Sequence, residues 1–427
     1  MFMYIAHYTN TYYPVVSGVV RSVSAFRQAL TDLGHTVFVF SQHASQYEEQ
    51  EPFVFRYPAI ELPIHNNFPI TIPMSSHIDW LLPLLKLDVV HAHHPILLGQ
   101  TAAKKAEELD LPFVFTFHTR YRDYSHYISL NQTIVKEAID RWLGVFMQQC
   151  QHIVVPSDSI RDLLADLYGV HEHVTVIPTG IDLTPYLEPP DSRQFRQQKG
   201  WGDDKVLISV GRLAKEKNWH LLLEAAAQVM PAVPHTRLVI LGEGEERDSL
   251  QKLAQELGIA EQVELPGSVP FTDVPQYLFA ADLFCFASIT ETQGLVTLEA
   301  MAANLPVVAV TGSGTSDVIT HEVEGLLTDN NVPSLAQAII RALQDDDLRQ
   351  SLRTAARAKA STYDMKRQAQ RLTDVYEQAI TDKKANRFVQ VDRQKPLLTG
   401  HWYELLGLEE NPFHSLPRQV SNLMQRD

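Results

Sequence analysis

The chain has 427 residues, a formal net charge of −15, 45% hydrophobic and 20% charged residues, a balance that asks for more than one compact core and excludes wholesale disorder. Acidity of this size is the opposite of what neutralises nucleic-acid phosphates or holds a polybasic face on an anionic bilayer, so no nucleic-acid partner is expected. Cys150 and Cys285 are the only cysteines, which excludes a disulfide framework or a cysteine metal cage and suits a reducing compartment.

In chain order, MFMYIAHYTN lacks the basic start and apolar core of a signal peptide and reads as a first strand, Phe2 to His7. A helix around Val19 to Leu33 and a strand Thr36 to Ser41 complete a βαβ unit. Strands near Asp88 to His91, Pro112 to Phe117, Ile153 to Pro156 and Val174 to Pro178 follow, and their unalternated apolar runs suit parallel strands covered on both faces. The most apolar stretch, Trp80 to Leu98, is broken by Pro83, Lys86, Asp88 and histidines. It cannot supply the roughly 20 apolar residues of a membrane span, so a cytoplasmic protein with at most peripheral membrane contact is expected. Leu183 to Phe195, LTPYLEPPDSRQF, mixes prolines with polar residues and predicts a linker.

A second α/β series has strands at Val206 to Val210, Arg237 to Leu241, Gln262 to Leu265, Asp282 to Ala287 and Pro306 to Val310. Met365 to Ile380 has helical period, and an irregular tail follows from about Lys384. The expected fold is therefore α/β, with two doubly wound parallel-sheet domains, 1–184 and 185–363, a helix over 364–381 and a tail over 382–427. Two such sheets in tandem place a cleft between their carboxyl-end loops, where ligands bind in open α/β folds.

Chemistry concentrates at strand ends. Glu291 to Val310, ETQGLVTLEAMAANLPVVAV, follows an apolar strand and opens a helix at Gly294. Free amides at a helix start can hold a diphosphate while flanking carboxylates bind sugar hydroxyls; ordinary capping is the alternative. Ser209 to Leu213, SVGRL, with Lys215, Lys217 and Asn218 puts cations just past another strand end. Fixed positive charge there would offset the charge growing on a departing diphosphate, unless these are simply solvated surface lysines. Glycine turns at Leu241 to Gly244 and Pro266 to Val269 end two more strands, and Gly18 precedes the first long helix; each serves a ligand or only a turn.

His91, His93 and His94 crowd one strand end with no adjacent acid or cysteine, so no metal is expected there. His91 and His94 read as structural, while His91 or His93 could line the cleft. His118 leaves the strand PFVFTF at its carboxyl edge, and its neutral ring could both donate to and accept from sugar hydroxyls. Asp345 to Asp347 reads as helix caps rather than a metal triplet.

Glu291 and Glu299, separated by seven residues that include Gly294 and Leu295, resemble the E-x7-E motif of retaining glycosyltransferases of family four, whose fold is GT-B, two Rossmann-like domains facing a cleft. The resemblance implies that Glu291 binds donor-sugar hydroxyls, that Gly294, Leu295 and Val296 offer amides to the phosphates, and that Glu299 binds the ribose. Gln293 falls among the same donor residues. The pattern G-R-L-x-x-x-K at Gly211 implies Arg212 and Lys217 as catalytic cations in place of a metal, with no cofactor beyond the co-substrate. Gly267 and Val269 would lie at the nucleotide base, Gly18 at the phosphates, and Gly325-Leu326-Leu327 at a later glycine turn. His118 would contact the donor sugar at the reacting centre.

HTRYRDYSHY, from His118 to Tyr127, is particularly similar to bacterial diacylglycerol glucosyltransferases, which implies acceptor contacts at Arg120, Tyr121, Tyr124 and His126. That subgroup often carries an acid where Arg122 stands. In the family the helix over 364–381 crosses back to the first domain. The expected activity is transfer of a hexose from a UDP-sugar, with retention, to diacylglycerol or its monoglycoside at a membrane surface. A soluble sugar or polysaccharide acceptor, a nucleotide-sugar epimerase and a silent sugar-nucleotide binder are the alternatives. Phe68, Ile70, Ile72, Met74 and Trp80, within Ile64 to Leu85, form either an interfacial surface or core.

Overall fold

A computed structural model describes residues 2–15, 17–44, 47–61, 69–72, 74–123, 131–312 and 314–392. Apolar runs bounded by glycine and polar turns become strands of two parallel sheets. The first contains β1 (Tyr4–Tyr8), β2 (Thr36–Gln42), β3 (Val54–Tyr57), β6 (Val89–Ala92), β7 (Phe113–Thr116), β8 (His152–Val155) and β9 (Val174–Val176), in the order β3-β2-β1-β6-β7-β8-β9. A small antiparallel pair, β4 (Ala59–Glu61) and β5 (Pro69–Thr71), stands beside it. The second contains β10 (Lys205–Val210), β11 (Thr236–Leu241), β12 (Val263–Gly267), β13 (Leu283–Phe286), β14 (Val307–Val310) and β15 (Gly325–Thr328), in the order β12-β11-β10-β13-β14-β15. Both orders step outward from the first strand and then reverse, which is the doubly wound pattern with its ligand crevice at the reversal.

Period-two alternation sorts each strand between two cores. In the first sheet Ala6, Tyr8, Val90, Ala92, Phe113 and Phe115 face one apolar layer. Ile5, Val89, Val114 and Val154 face the other, where Leu372, Val375, Tyr376 and Ala379 of the helix Met365–Lys384 cover them. That long helix follows the second sheet in the chain yet packs on the first. The chain then continues to Val389 and Val391, both buried in the first domain's core.

Three sequence expectations change. Gly325-Leu326-Leu327, expected as a turn, opens β15, an edge strand beside β14 in which Leu326 is buried and Leu327 partly buried. The linker Leu183 to Phe195 is partly built: a 3-10 turn at Thr184–Tyr186 buries Tyr186 in the second core, and Asp191 caps the helix Ser192–Lys199. A hydrophobic tyrosine outweighs the proline signal there. Finally, β3 was absent from the expected strands, since FVFRY is short and carries an arginine.

Candidate active site

Carboxyl-end loops of the two sheets meet. From the first domain come the helix Gly18–Asp32 after β1, His93 and His94 after β6, His118 after β7 and Ser157 after β8. From the second come the turn Gly211–Asn218 after β10, the loop from Gly267 after β12 and the loop Ala287–Gly294 after β13. Gly294 has φ 74°, a left-handed conformation that glycine adopts without Cβ strain. As the N-cap of the helix Leu295–Ala302 it contributes no side-chain hydrogen bond, so the first-turn amides of Leu295 and Val296 point out of the helix end with nothing from the cap to satisfy them.

Around this helix start two ion pairs form. Lys217 Nζ pairs with Glu291 Oε1, which also accepts a hydrogen bond of 3.0 Å from the Ser288 hydroxyl. Glu299, 2% exposed, pairs with Arg21 of the first domain, so this contact spans the cleft. The Arg21 guanidinium also lies 4.3 Å from the centre of the Phe271 ring, which belongs to the loop after β12. Burial pushes the Glu299 carboxyl above its ordinary value, and Arg21 opposes that shift.

On the opposite wall the His118 carbonyl accepts a hydrogen bond of 2.9 Å from the Thr292 hydroxyl, which places His118 beside the Glu291–Gly294 loop. Burial lowers the His118 ring to about 3, with His94 and His7 adding to the shift, so it is uncharged at neutral pH. The arrangement offers amides and a lysine for phosphate oxygens, carboxylates for hydroxyls, and a neutral imidazole from the neighbouring domain.

The chain matches two family models: Glycosyltransferase Family 4 over residues 16–185 and Glycosyl transferases group 1 over residues 191–359. It is 32% identical over 349 residues to an alpha-monoglucosyldiacylglycerol synthase of Streptococcus pneumoniae, covering 80% of this chain and 78% of that one. The chain belongs to glycosyltransferase family 4. A D-inositol 3-phosphate glycosyltransferase of Kineococcus radiotolerans is 30% identical over 70% of this glycosyltransferase and 73% of its own length. Among solved structures, HepE of Anabaena in complex with UDP-glucose shares the fold, with a TM-score of 0.73, 22% identity, and coverage of 88% of this chain and 99% of that one.

In the glycosyltransferase Lys217, Glu291 and Gly294 meet at one helix start, Glu299 lies on the helix that Gly294 opens, and His118 adjoins the same loop. Arg212 lies one turn away, its side chain 47% exposed and paired with Glu216, its carbonyl held at 2.9 Å by the Trp219 indole N–H. Gly211 is packed against that Trp219 ring. Gly267 has φ 92° and lies against the Glu243 carboxylate, while Val269 packs on the second domain's core. Gly18 is the first residue of its helix, and a Cβ there would meet nothing within 4 Å, so packing does not require the glycine.

The Gln293 side chain is engaged across the domain seam. Its amide donates to the Thr179 carbonyl and accepts from the Thr179 N–H, both at 2.7 Å, so the buried side chain is a clasp between domains. Ser157 donates to the Thr292 carbonyl at 2.8 Å, and Ser159 binds the Asp317 carboxylate, extending the same seam. Arg120 is held by Asp123 at 2.8 Å within its own turn, and Tyr121 packs edge-on to Phe117. Arg122 stands 3.4 Å from Asp140. Tyr124 and His126 lie outside the described residues.

Sequence reasoning missed Arg21, Phe271, Ser288 and Thr292. Arg21 had a usable signal, since it follows Gly18 by one helical turn and shares its face. Phe271 had none, because only the closure of one domain on the other brings it to Arg21. The histidines His7, His91 and His93 gather with ligand atoms within 4.8 Å of one another, but both nitrogens of each ring already meet Tyr376, Thr116, His118 or another of the three. That is a hydrogen-bonded set rather than a free donor set for a metal.

Proposed function

We propose that this glycosyltransferase moves a hexose from a UDP-sugar, with retention at the anomeric carbon, to diacylglycerol or monoglycosyldiacylglycerol in membrane glycolipid synthesis. The observation that carries the transfer is the Lys217–Glu291 pair at the Gly294 helix start, set against His118 of the other domain by the Thr292 bond. The diphosphate takes the open amides and Lys217, with Arg212 swinging in from Glu216; these cations take the part that a metal plays in other sugar transferases. Glu291 receives donor-sugar hydroxyls, Glu299 the ribose, and His118 the sugar at the reacting centre. The acceptor hydroxyl attacks from the leaving-group face and gives its proton to the departing phosphate, which accounts for retention without a carboxylate nucleophile.

Two observations support a lipid acceptor: the name of the pneumococcal relative, and Met74, Trp80 and Leu84, which are 71%, 68% and 60% exposed on and around the helix Ser76–Leu81. Ile78 and Leu82 of the same stretch are buried, so the segment has an anchored face and an apolar outer one, with a tryptophan suited to the membrane interface. Among the described residues no helix is long and apolar enough to cross a membrane, and contact through this surface would be peripheral, at a cytoplasmic face. A soluble acceptor is the second reading, favoured by the inositol-phosphate relative.

One assay separates them. UDP-sugars are incubated alone, with inositol phosphate, and with vesicles containing diacylglycerol or its monoglycoside, and UDP release, product mass and product anomer are measured. Lipid product of retained configuration is expected. Turnover indifferent to vesicles would reject the lipid acceptor, conversion of the sugar nucleotide without acceptor would mark an epimerase, and binding without UDP release a silent module. Glu291→Ala is expected to lower kcat by about 100-fold with an unchanged melting temperature; a variant that merely unfolds would remove Glu291 from the chemistry.

A further inference from the structure

The face of the first sheet under the long helix Met365–Lys384 is apolar except at its carboxyl end. By alternation, His7 follows Ile5, His91 and His93 follow Val89, and Thr116 and His118 follow Val114 on that face. His7 and His91 are register partners across β1 and β6. Tyr376 of the helix reaches down between them with its hydroxyl. A continuous chain results: Thr116 Oγ1 to His91 Nε2 at 2.7 Å, His91 Nδ1 to the Tyr376 hydroxyl at 2.7 Å, that hydroxyl to His7 Nε2 at 3.1 Å, His7 Nδ1 to His93 Nε2 at 3.2 Å, and His93 Nδ1 to His118 Nε2 at 2.9 Å. His118 is half-buried at the cleft end, and its Nδ1 has no partner among the described residues.

A neutral imidazole has one donor and one acceptor nitrogen, so fixing the direction of one link fixes every link beyond it. The Tyr376 hydroxyl has a single proton and two ring partners. Bonds donated by a hydroxyl run shorter, about 2.7 to 2.8 Å, than those donated by N–H, about 2.9 to 3.0 Å. The distances of 2.7 Å to His91 and 3.1 Å to His7 therefore make His7 Nε2–H the donor to the tyrosine oxygen. His7 Nδ1 must then accept from His93 Nε2–H, and His93 Nδ1 from His118 Nε2–H. The hydroxyl proton then goes to His91 Nδ1, and His91 Nε2–H donates to Thr116 Oγ1.

We infer that Tyr376, His7 and His93 are positioning residues that hold His118 as its Nε2–H tautomer, so that it presents a bare Nδ1 to the cleft as a hydrogen-bond acceptor. A sugar hydroxyl meeting this wall then donates to the ring, and the ring supplies no proton. Burial keeps His7, His91 and His93 well below their ordinary values as well, so no charge interrupts the chain at neutral pH. The helix that returns from the second domain thus sets the hydrogen-bonding sense of a group at the reaction centre. The functional half of this inference rests on the transfer reading above; the tautomer does not.

The test uses the full chain with 15N-labelled histidine and multiple-bond proton–nitrogen spectra, which distinguish the two neutral tautomers and the charged ring. His118 is assigned by the signal lost in His118→Gln. The wild type is expected to show His118 as Nε2–H at neutral pH; the Nδ1–H form or a charged ring overturns the inference whatever the enzyme's activity. Tyr376→Phe keeps the ring packing and removes the hydroxyl. It is expected to turn the single His118 tautomer into a mixture and to lower kcat about tenfold, with the donor KM changed by less than about twofold. An unaltered tautomer and kcat in a folded Tyr376→Phe protein would also overturn it. Should no sugar be transferred by the wild type, the transfer reading fails and the spectra still decide the tautomer.

Discussion

Arg21 and Glu299 show how a binding carboxylate is kept ready in a dry place. Glu299 is buried, which raises its pKa, and the guanidinium from the other domain works against that rise. Removing the cation leaves only the burial. Arg21→Ala is therefore expected to push the Glu299 carboxyl up further, so that it becomes protonated as pH falls; the donor KM should rise, and rise more at pH 6 than at pH 8, which steady-state kinetics at the two values would show. Gln293 differs in kind, because both of its side-chain bonds go to the backbone of Thr179 in the other domain. Gln293→Ala leaves the buried N–H and carbonyl of Thr179 without partners and is expected to cost about 2 kcal/mol of stability, read from the urea midpoint. The E-x7-E spacing made the two glutamates legible in the sequence, while nothing in it showed that the glutamine between them faces the other domain.

At the scale of elements, the helix Met365–Lys384 is the part whose place matters most. Its start is seated on Gly180, where a Cβ would lie 2.6 Å from the Met365 Cα. Ile181 N–H donates to the Tyr363 carbonyl at 3.0 Å, which ties the end of the first domain to the approach of this helix. Gly180→Ala is expected to force these backbones apart and cost about 2 kcal/mol, as overpacking of a close contact does, with a lower melting temperature than the wild type. Helical period announced the element itself. Its register over β1, β6 and β7, which brings Tyr376 to His7 and His91, depends on side chains separated by more than 280 residues and had no local signal.

For the whole molecule, the buried histidines make stability depend on pH. Burial lowers His7 and His118 to about 3 and His94 and His152 to about 4, against an ordinary 6.5. Between 6.5 and 4 the unfolded chain takes up protons that the folded rings refuse, so the unfolded state binds more protons and stability falls as pH falls. The contribution is complete above pH 6.5 and is lost progressively toward pH 4 for His94 and His152 and toward pH 3 for His7 and His118. A urea midpoint that drops steadily from pH 7.5 to pH 5 is expected; a flat profile would mean that these rings accept protons in the folded protein. Activity should show no inflection near 6.5 from His118.

The amino-acid sequence alone determined the two α/β series, their cleft at the strand ends, and the motif carrying Glu291, Gly294 and Glu299. Those depend on hydrophobic period, turn chemistry and close spacing, all of which act over a few neighbouring residues. Only the tertiary structure decided that Glu299 faces Arg21, that Gln293 clasps Thr179, and that Tyr376 joins the histidines beneath His118. Each of these pairs elements far apart in the chain, and such pairings follow from how the sheets and the returning helix pack, which no local pattern encodes.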